Sequence, residues 1–249
     1  MIKVLSKEKW QGALYSLVIV VVFWQLAAMI LNLPIVPSPW AVFVNIIAIF
    51  ASKLQIHVFY SLERILEGIT IAILIGVPLG FLMGYFPRLD RVLSPLVYFT
   101  YPVPKIALLP VVMLLFGLGE ASKLIMIVLI VVFQIIITSR DAVKAIPEET
   151  FRSLKSLGAS KIQIFNEIIL PASLGEVLTA TRLALGTAVS ILFFTETFGT
   201  EYGMGYFIMD SWMRVNYLDM YAGIIVLSLM GFLIFTAIDI AENYFCSWR

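Results

Sequence analysis

The chain is poor in the residues that do chemistry in water. One histidine, His57, and one cysteine, Cys246, stand in 249 residues. A lone cysteine cannot close an internal disulfide, so stapling is excluded. A lone histidine argues against a histidine-ligated metal site and against a Ser-His triad; His57 is expected as a solvated loop side chain. No G-x-x-x-x-G-K-[ST] phosphate loop occurs, so the chain is not expected to hold ATP in the manner of that motif. Charge is scarce too: 13% of residues are charged, against roughly 25% in soluble domains. A net charge of +1 leaves no basic field for nucleic acid and no acidic tail. No catalytic residue and no metal ligand is identified.

Apolar residues make up 61% of the chain, and the excess has to face something other than water. A membrane-spanning helix needs about 20 mostly apolar residues. Six runs are candidates, at 12–31, 61–85, 104–116, 124–138, 171–194 and 220–240. The first follows Lys3, Lys7 and Lys9, but its apolar stretch exceeds a secretory core of about 7–15 residues and no A-x-A-like cleavage site follows, so it is expected as an uncleaved span. The third is opened by the Pro102-Val-Pro104 break and interrupted at Pro110, and extends back to Leu93 at its longest. Between the first two runs, Asn32-Leu-Pro-Ile-Val-Pro-Ser-Pro39 excludes regular helix. Residues 40–51 are then too short to span and suit an interfacial or partly buried helix. The expected fold is all-α and polytopic, with about six transmembrane helices in a single domain over 1–249.

Lys and Arg in short loops set the orientation. With the N-terminus in the cytoplasm, the inner segments hold Lys3, Lys7, Lys9, Arg88, Arg91, Arg140, Lys144, Arg152, Lys155, Lys161 and Arg249, and the outer ones only Lys53, Lys123 and Arg214. Both termini are therefore expected inside, with 1–11 and the loop 140–167 cytoplasmic and 199–219 outside. That outer stretch, with Tyr202, Tyr206, Trp212, Arg214 and Tyr217, is too polar to span and suits an aromatic belt at the membrane surface.

The loop predicts two short helices with a tight corner. Pro147 suits a first helical position, and Glu148 and Glu149 favour the positive end of the helix dipole. Gly158 stands where a left-handed residue would end that helix. Ser160 and Gln163 have capping-box spacing, so a second helix starts at once, and Pro171 marks the entry to the fifth span. The amphipathic elbow carries Phe151, Leu154, Leu157, Ile162 and Phe165. A surface elbow and a docking knob for a cytoplasmic protein are the two readings.

Gly158, nine residues, Ile168, one residue and Leu170-Pro171 match the EAA signature of ABC-importer permeases. Further blocks run in the same order: Pro37-Ser-Pro39 with Trp40, Ser61-Leu-Glu-Arg64 with Gly68, Gly76-Val-Pro-Leu-Gly80, Pro104-Lys-Ile-Ala-Leu-Leu-Pro110, Phe116-Gly-Leu-Gly119 with Lys123, Leu157-Gly-Ala-Ser160, Arg182-Leu-Ala-Leu-Gly186 and Gly203-Met-Gly-Tyr206. The chain thus resembles the permease subunits of binding-protein-dependent ABC importers, and those of the nitrate/sulfonate/taurine type in particular. Two positions depart from the pattern. The E-A-A triplet falls on Arg152, Ser153 and Leu154, and Gln134 stands where a proline is expected in the fourth span.

The resemblance implies a type I importer permease whose elbow is a coupling helix seated in a groove of an ATPase subunit. Its coupling residues would be Glu148, Glu149, Phe151, Arg152, Leu154, Leu157, Gly158, Ala159 and Ser160. ATP and Mg would be bound by that ATP-binding subunit, leaving this chain without a cofactor and without enzymatic activity. An extracytoplasmic substrate-binding protein would meet the outer face. A second permease copy would complete the pathway, identical or, given the altered triplet, different. The location would be the bacterial inner membrane. Related systems handle small anions such as nitrate, bicarbonate and sulfonates, or riboflavin and thiamine precursors, and specificity sits mostly in the binding protein.

Charges within the spans cost several kcal/mol unless paired or facing a cavity. Arg64 lies beside Glu63 and Glu67, so it either pairs locally at i,i+3 or faces the translocation path. Arg182 has the same two readings, with snorkelling as a third. Glu196, which ends the fifth span, matches an acidic position of the resembling family and is assigned to the path with them. An ion-gradient-driven secondary transporter is the alternative, but no internal repeat of the kind such carriers show is apparent. An intramembrane enzyme or scaffold would want a polar constellation at membrane depth, and only scattered charges are present.

Overall fold

The computed structural model describes residues 7–246, with side chains from Tyr15 onward. Lys3 and Arg249, used in the charge count, lie outside the described residues, as do the side chains of Lys7 and Lys9. Every regular element among the described residues is helical. Helix α1, Lys7–Leu31, stops where Asn32 takes a left-handed φ of 45° and the prolines begin. Ser38 opens α2, Pro39–Ile49: its hydroxyl accepts from the Ala41 N–H at 3.3 Å, and Pro39 takes the first turn, where no N–H is needed.

The chain does not leave the helix after α2. A π-helical turn, Phe50–Leu54, leads straight into α3, Gln55–Tyr85, so one helix of 47 residues runs over Pro39–Tyr85. This corrects the separation, not the helix, expected over 40–51: of the interfacial and partly buried readings the second holds, with Val42 buried. Lys53 and His57 marked its end in the sequence, yet both are accommodated by distant partners. The Lys53 ammonium lies 3.1 Å from an Asp219 carboxylate oxygen, and His57 Nδ1 accepts the Gly203 N–H at 3.1 Å. His57 is therefore a half-buried helix residue and not a solvated loop side chain.

Helix α4, Pro87–Thr100, and the segment Lys105–Phe116, which opens with a 3₁₀ turn and continues as α5, Leu109–Phe116, are bent by 80° at the Pro102-Val-Pro104 break. Helix α6 is Glu120–Lys144. The elbow follows as α7, Glu148–Ser156, and α8, Lys161–Ile164; a π turn, Phe165–Ile169, then joins α8 to α9, Leu170–Glu196. The second elbow helix is thus the first turn of a 36-residue helix, Lys161–Glu196. Proline in a helix lacks an N–H and its ring crowds the carbonyl four residues back. The wide π turn just before Pro171 takes up that crowding, which is why the helix continues where the sequence suggested a boundary. Helices α10, Met204–Met213, and α11, Tyr217–Phe245, complete the chain.

Four helices among the described residues are long and apolar enough to cross a membrane, or five if the bent pair is one span, against the six expected. Helix α1, apolar over Tyr15–Leu31, occupies the place of the first span of the sequence.

Two compact units are present among the described residues, one holding 7–62 with Glu196–Leu233, the other Glu63–Thr195 with 234–246. In the first, Trp24 stacks on Tyr221 with centroids 5.6 Å apart, and α10 turns Met204, Phe207 and Ile208 inward. Part of the expected surface belt is therefore interior: the rings of Tyr206 and Phe207 lie 5.9 and 5.3 Å from that of His57, while Trp212 stays exposed. In the second unit α3 meets α6 along Gly68, Gly76, Gly80 and Gly84. A Cβ on Gly80 would come within 2.6 Å of the Ile136 carbonyl oxygen, so only glycine allows this approach. Below the stripe, Phe81, Val143, Ile164, Ile169 and Val177 form a buried cluster on which the elbow rests.

Candidate functional site

The elbow is fixed from both sides of its corner. Helix α7 begins at Glu148, one position later than the sequence suggested, with Pro147 just outside it as the N-cap. Gly158 takes a φ of +79°, and the Ala159 N–H reaches back to the Leu154 carbonyl at 3.2 Å, closing the end of α7. Ser160 and Gln163 form the reciprocal capping box: the Gln163 N–H donates to the Ser160 hydroxyl at 3.3 Å and the Ser160 N–H to the Gln163 side chain at 2.8 Å. With its backbone groups satisfied locally, the corner holds its shape without burying it.

Its apolar residues divide between two faces. Phe151, Leu154 and Ala159 pack against the buried cluster, and the Phe151 ring lies 5.9 Å from that of Tyr85. Leu157 and Ile162 point away, 82% and 73% exposed. Glu148, Glu149 and Arg152 are exposed; Arg152 lies 3.0 Å from Glu148 one turn back, a pair worth a few tenths of a kcal/mol at such exposure. Arg152, at the family's glutamate position, thus carries its own carboxylate beside it.

The three residues assigned to the path are each held by the protein. Arg64 is buried and its Nε and Nη2 donate to the two oxygens of Glu120 on α6 at 2.5 and 2.6 Å. That fork-to-fork pair locks α3 to α6; a local i,i+3 argument could not find it, because the partner lies 56 residues away. Arg182 Nε is 2.7 Å from Asp239, its Nη2 pairs with Glu242, and its guanidinium lies 5.5 Å from the Phe235 ring centroid. Glu196 is fully buried; it accepts from Ser61 Oγ at 2.8 and 2.9 Å and from the Gly205 N–H at 2.8 Å. Ser61 Oγ in turn accepts the Met204 N–H at 2.7 Å. Glu196 and Ser61 thereby satisfy two N–H groups of the first turn of α10, where a carboxylate also meets the positive end of the helix dipole.

A further charged cluster escaped the sequence, which counted Arg140 only as a topological charge. Buried at the end of α6, its guanidinium donates to Ser94 Oγ at 2.7 Å, to the Tyr98 hydroxyl at 2.6 Å and to Asp141 at 2.6 and 2.9 Å. Asp90 on α4 accepts from Lys144 at 2.5 Å and lies 3.7 Å from Arg140. Helix spacing within α4, which puts Asp90, Ser94 and Tyr98 on one face at i, i+4 and i+8, was the available signal.

The described residues are thus an all-helical assembly with paired buried charges and a capped elbow whose tip is exposed. The sequence profile of the binding-protein-dependent transport system inner membrane components matches residues 68–246. The chain belongs to that family. It is a membrane-spanning permease of a binding-protein-dependent ABC importer. Similar proteins include the taurine transport permease TauC of Escherichia coli K12, 30% identical over 93% of this chain and 87% of TauC. The formylaminopyrimidine transport permease ThiX of Halalkalibacterium halodurans is 30% identical over 98% of both chains. The putative aliphatic sulfonates transport permease SsuC of Bacillus subtilis is 27% identical over 96% of this chain and 88% of SsuC. The fold is that of a chain of the MetNI methionine ABC transporter in an inward-facing conformation, with a TM-score of 0.69 and 21% identity over 77% of this chain and 95% of that one.

Proposed function

We propose that this permease moves a small polar or anionic solute of the sulfonate kind, and that its elbow is the surface on which a separate ATP-binding subunit docks. The observation that carries the docking is the corner itself. Leu157 and Ile162 stand exposed on a capped backbone whose other face is anchored by Phe151, Leu154 and Ala159. An apolar tip held rigidly from behind can both enter a partner's groove and transmit a push. The coupling set is Glu148, Glu149, Phe151, Arg152, Leu154, Leu157, Gly158, Ala159 and Ser160, with the charged members at the rim.

ATP and Mg belong to the partner in this scheme, and the permease contributes no cofactor. The Lys/Arg distribution supports a cytoplasmic elbow with both termini inside, leaving 199–219 to face an extracytoplasmic binding protein. A second permease closes the pathway; Arg152 in the triplet favours testing for a partner of different sequence. The names of the taurine and aliphatic sulfonate relatives support the solute class. For Arg64, Arg182 and Glu196, their ion pairs and hydrogen bonds favour a role in holding the helices that bound the path.

Purification of the chain from native membranes in mild detergent, with cysteine crosslinking from Leu157→Cys, tests this. Recovery of a Walker-motif ATPase crosslinked to residue 157 is expected. A chain that purifies alone and forms no crosslink there overturns the docking assignment.

A further inference from the structure

At the 80° break between α4 and Lys105–Phe116, a cleft of about 360 Å³ opens in the second unit. Backbone that leaves the helix at membrane depth is tolerated where it lines a cavity or is buried in protein. Lys105, the first residue after the break, reaches back to the carbonyls of Thr100 and Tyr101, both at 3.0 Å, and lies 4.7 Å from the Phe133 ring centroid. An ammonium has three donors; the two carbonyls take two and cap the end of α4. Carbonyls and ring faces do not cancel its charge, and among the described residues no carboxylate pairs with it. Arg64, Arg140 and Arg182 all have carboxylates. Lys105 therefore faces this cleft with its charge uncancelled.

Two neutral donors share that cleft. Gln134, from the middle of α6, and Thr187, from the middle of α9, line it with Lys105. Gln134 stands where the family pattern suggests proline, and no protein group takes its side-chain amide, nor the Thr187 hydroxyl, among the described residues. Ile130 and Ile191 supply an apolar wall.

We infer that this cleft is a binding station for a small organic anion of single charge. Lys105 takes the anionic head, Gln134 and Thr187 donate to it, and the isoleucines take an aliphatic body. One positive charge with amide and hydroxyl donors matches one negative head group, and a volume of this size holds a solute of a few heavy atoms. The inference rests on the importer reading above and adds to it a place in the permease where the solute stops.

The test separates the two. The full chain carrying Cys246→Ser and Thr187→Cys is reconstituted with its co-purifying ATPase in phosphatidylcholine vesicles. Residue 187 is then labelled with a sulfonate-bearing methanethiosulfonate or with its trimethylammonium counterpart, each rate being corrected for the reagent's reaction with a free thiol. The sulfonate reagent is expected to react faster by on the order of tenfold. The preference should vanish with Lys105→Gln and return with Lys105→Arg, and millimolar ethanesulfonate should slow labelling in the lysine and arginine forms but not in the glutamine form. Equal rates with Lys105 present, a preference that survives Lys105→Gln, or labelling that ethanesulfonate does not slow overturns the station. ATP-driven uptake of ethanesulfonate by vesicles that hold the whole co-purified assembly, with its binding protein added and Thr187 intact, reads the importer function separately. Its loss beside an intact labelling preference overturns the solute assignment and leaves the site.

Discussion

Single side chains in this permease carry more than one bond, and their loss is felt accordingly. Ser61 donates to Glu196 and accepts from the Met204 N–H in a fully buried setting. Ser61→Ala leaves a buried N–H and part of a buried carboxylate without partners, at a cost of about 1–3 kcal/mol. The detergent-solubilised protein should show a lower thermal midpoint with Ser61→Ala, whereas Ser52→Ala, at an exposed hydroxyl with a 3.4 Å contact, should leave it unchanged. Equal midpoints for both would show that the Ser61 hydrogen bonds contribute nothing. Gly158 is the other sensitive residue. A Cβ there meets no atom within 4 Å, so bulk is not the obstacle; the φ of +79° is. Gly158→Asn, which tolerates left-handed backbone, should keep ATP-driven uptake. Gly158→Pro, locked near −65°, should insert normally yet leave the partner ATPase hydrolysing ATP without transport. Uptake at the wild-type rate by the proline variant would count against a coupling role for the corner.

At the scale of helices, α3 and α6 meet through a glycine stripe that no substitution can imitate. Gly80→Ala places a methyl 2.6 Å from the Ile136 carbonyl oxygen and from Ser139 Cβ, neither of which is a flexible chain end. The helices must separate, which overpacking data put at about 1–3 kcal/mol, and the Arg64–Glu120 lock along the same interface would loosen with them. Less protein should survive heating and purification, and a wild-type melting curve for Gly80→Ala would refute the close approach. What the sequence disclosed about these elements followed the range of the forces involved. The Gly158 corner and the Ser160–Gln163 box are set by neighbours within four residues, and both were legible. The junction of α2 with α3 was hidden, because the partners that make Lys53 and His57 welcome in a helix are Asp219 and Gly203, more than a hundred residues on. Arg64 likewise showed its charge and concealed its partner. The π turn before Pro171 was hidden for a different reason, since proline in sequence signals a boundary and the wider turn that absorbs it leaves no compositional mark.

For the assembled transporter, the elbow's two-sidedness separates folding from docking. Leu157 is 82% exposed and contributes little to the permease core. Leu157→Glu should therefore leave expression and melting unchanged while lowering co-purification of the ATPase on the order of tenfold or more, as expected for an apolar anchor in a pocket. Leu154→Glu, on the anchored face, should damage the fold itself. An ATPase yield unaltered by Leu157→Glu in a well-folded permease would remove the tip from the interface.

The continuous helix from Lys161 to Glu196 gives the elbow a mechanical reach. At 1.5 Å per residue, its 36 residues form a rod of roughly 50 Å, with the capped corner at its start. A regular helix is stiff along its length, and the one departure from regularity is the wide turn at Phe165–Ile169 followed by the missing N–H of Pro171. A displacement applied at the corner would be delivered along the shaft, with bending concentrated at that single compliant joint, one turn from the corner. The same few residues that let proline into the helix make it a lever with a wrist.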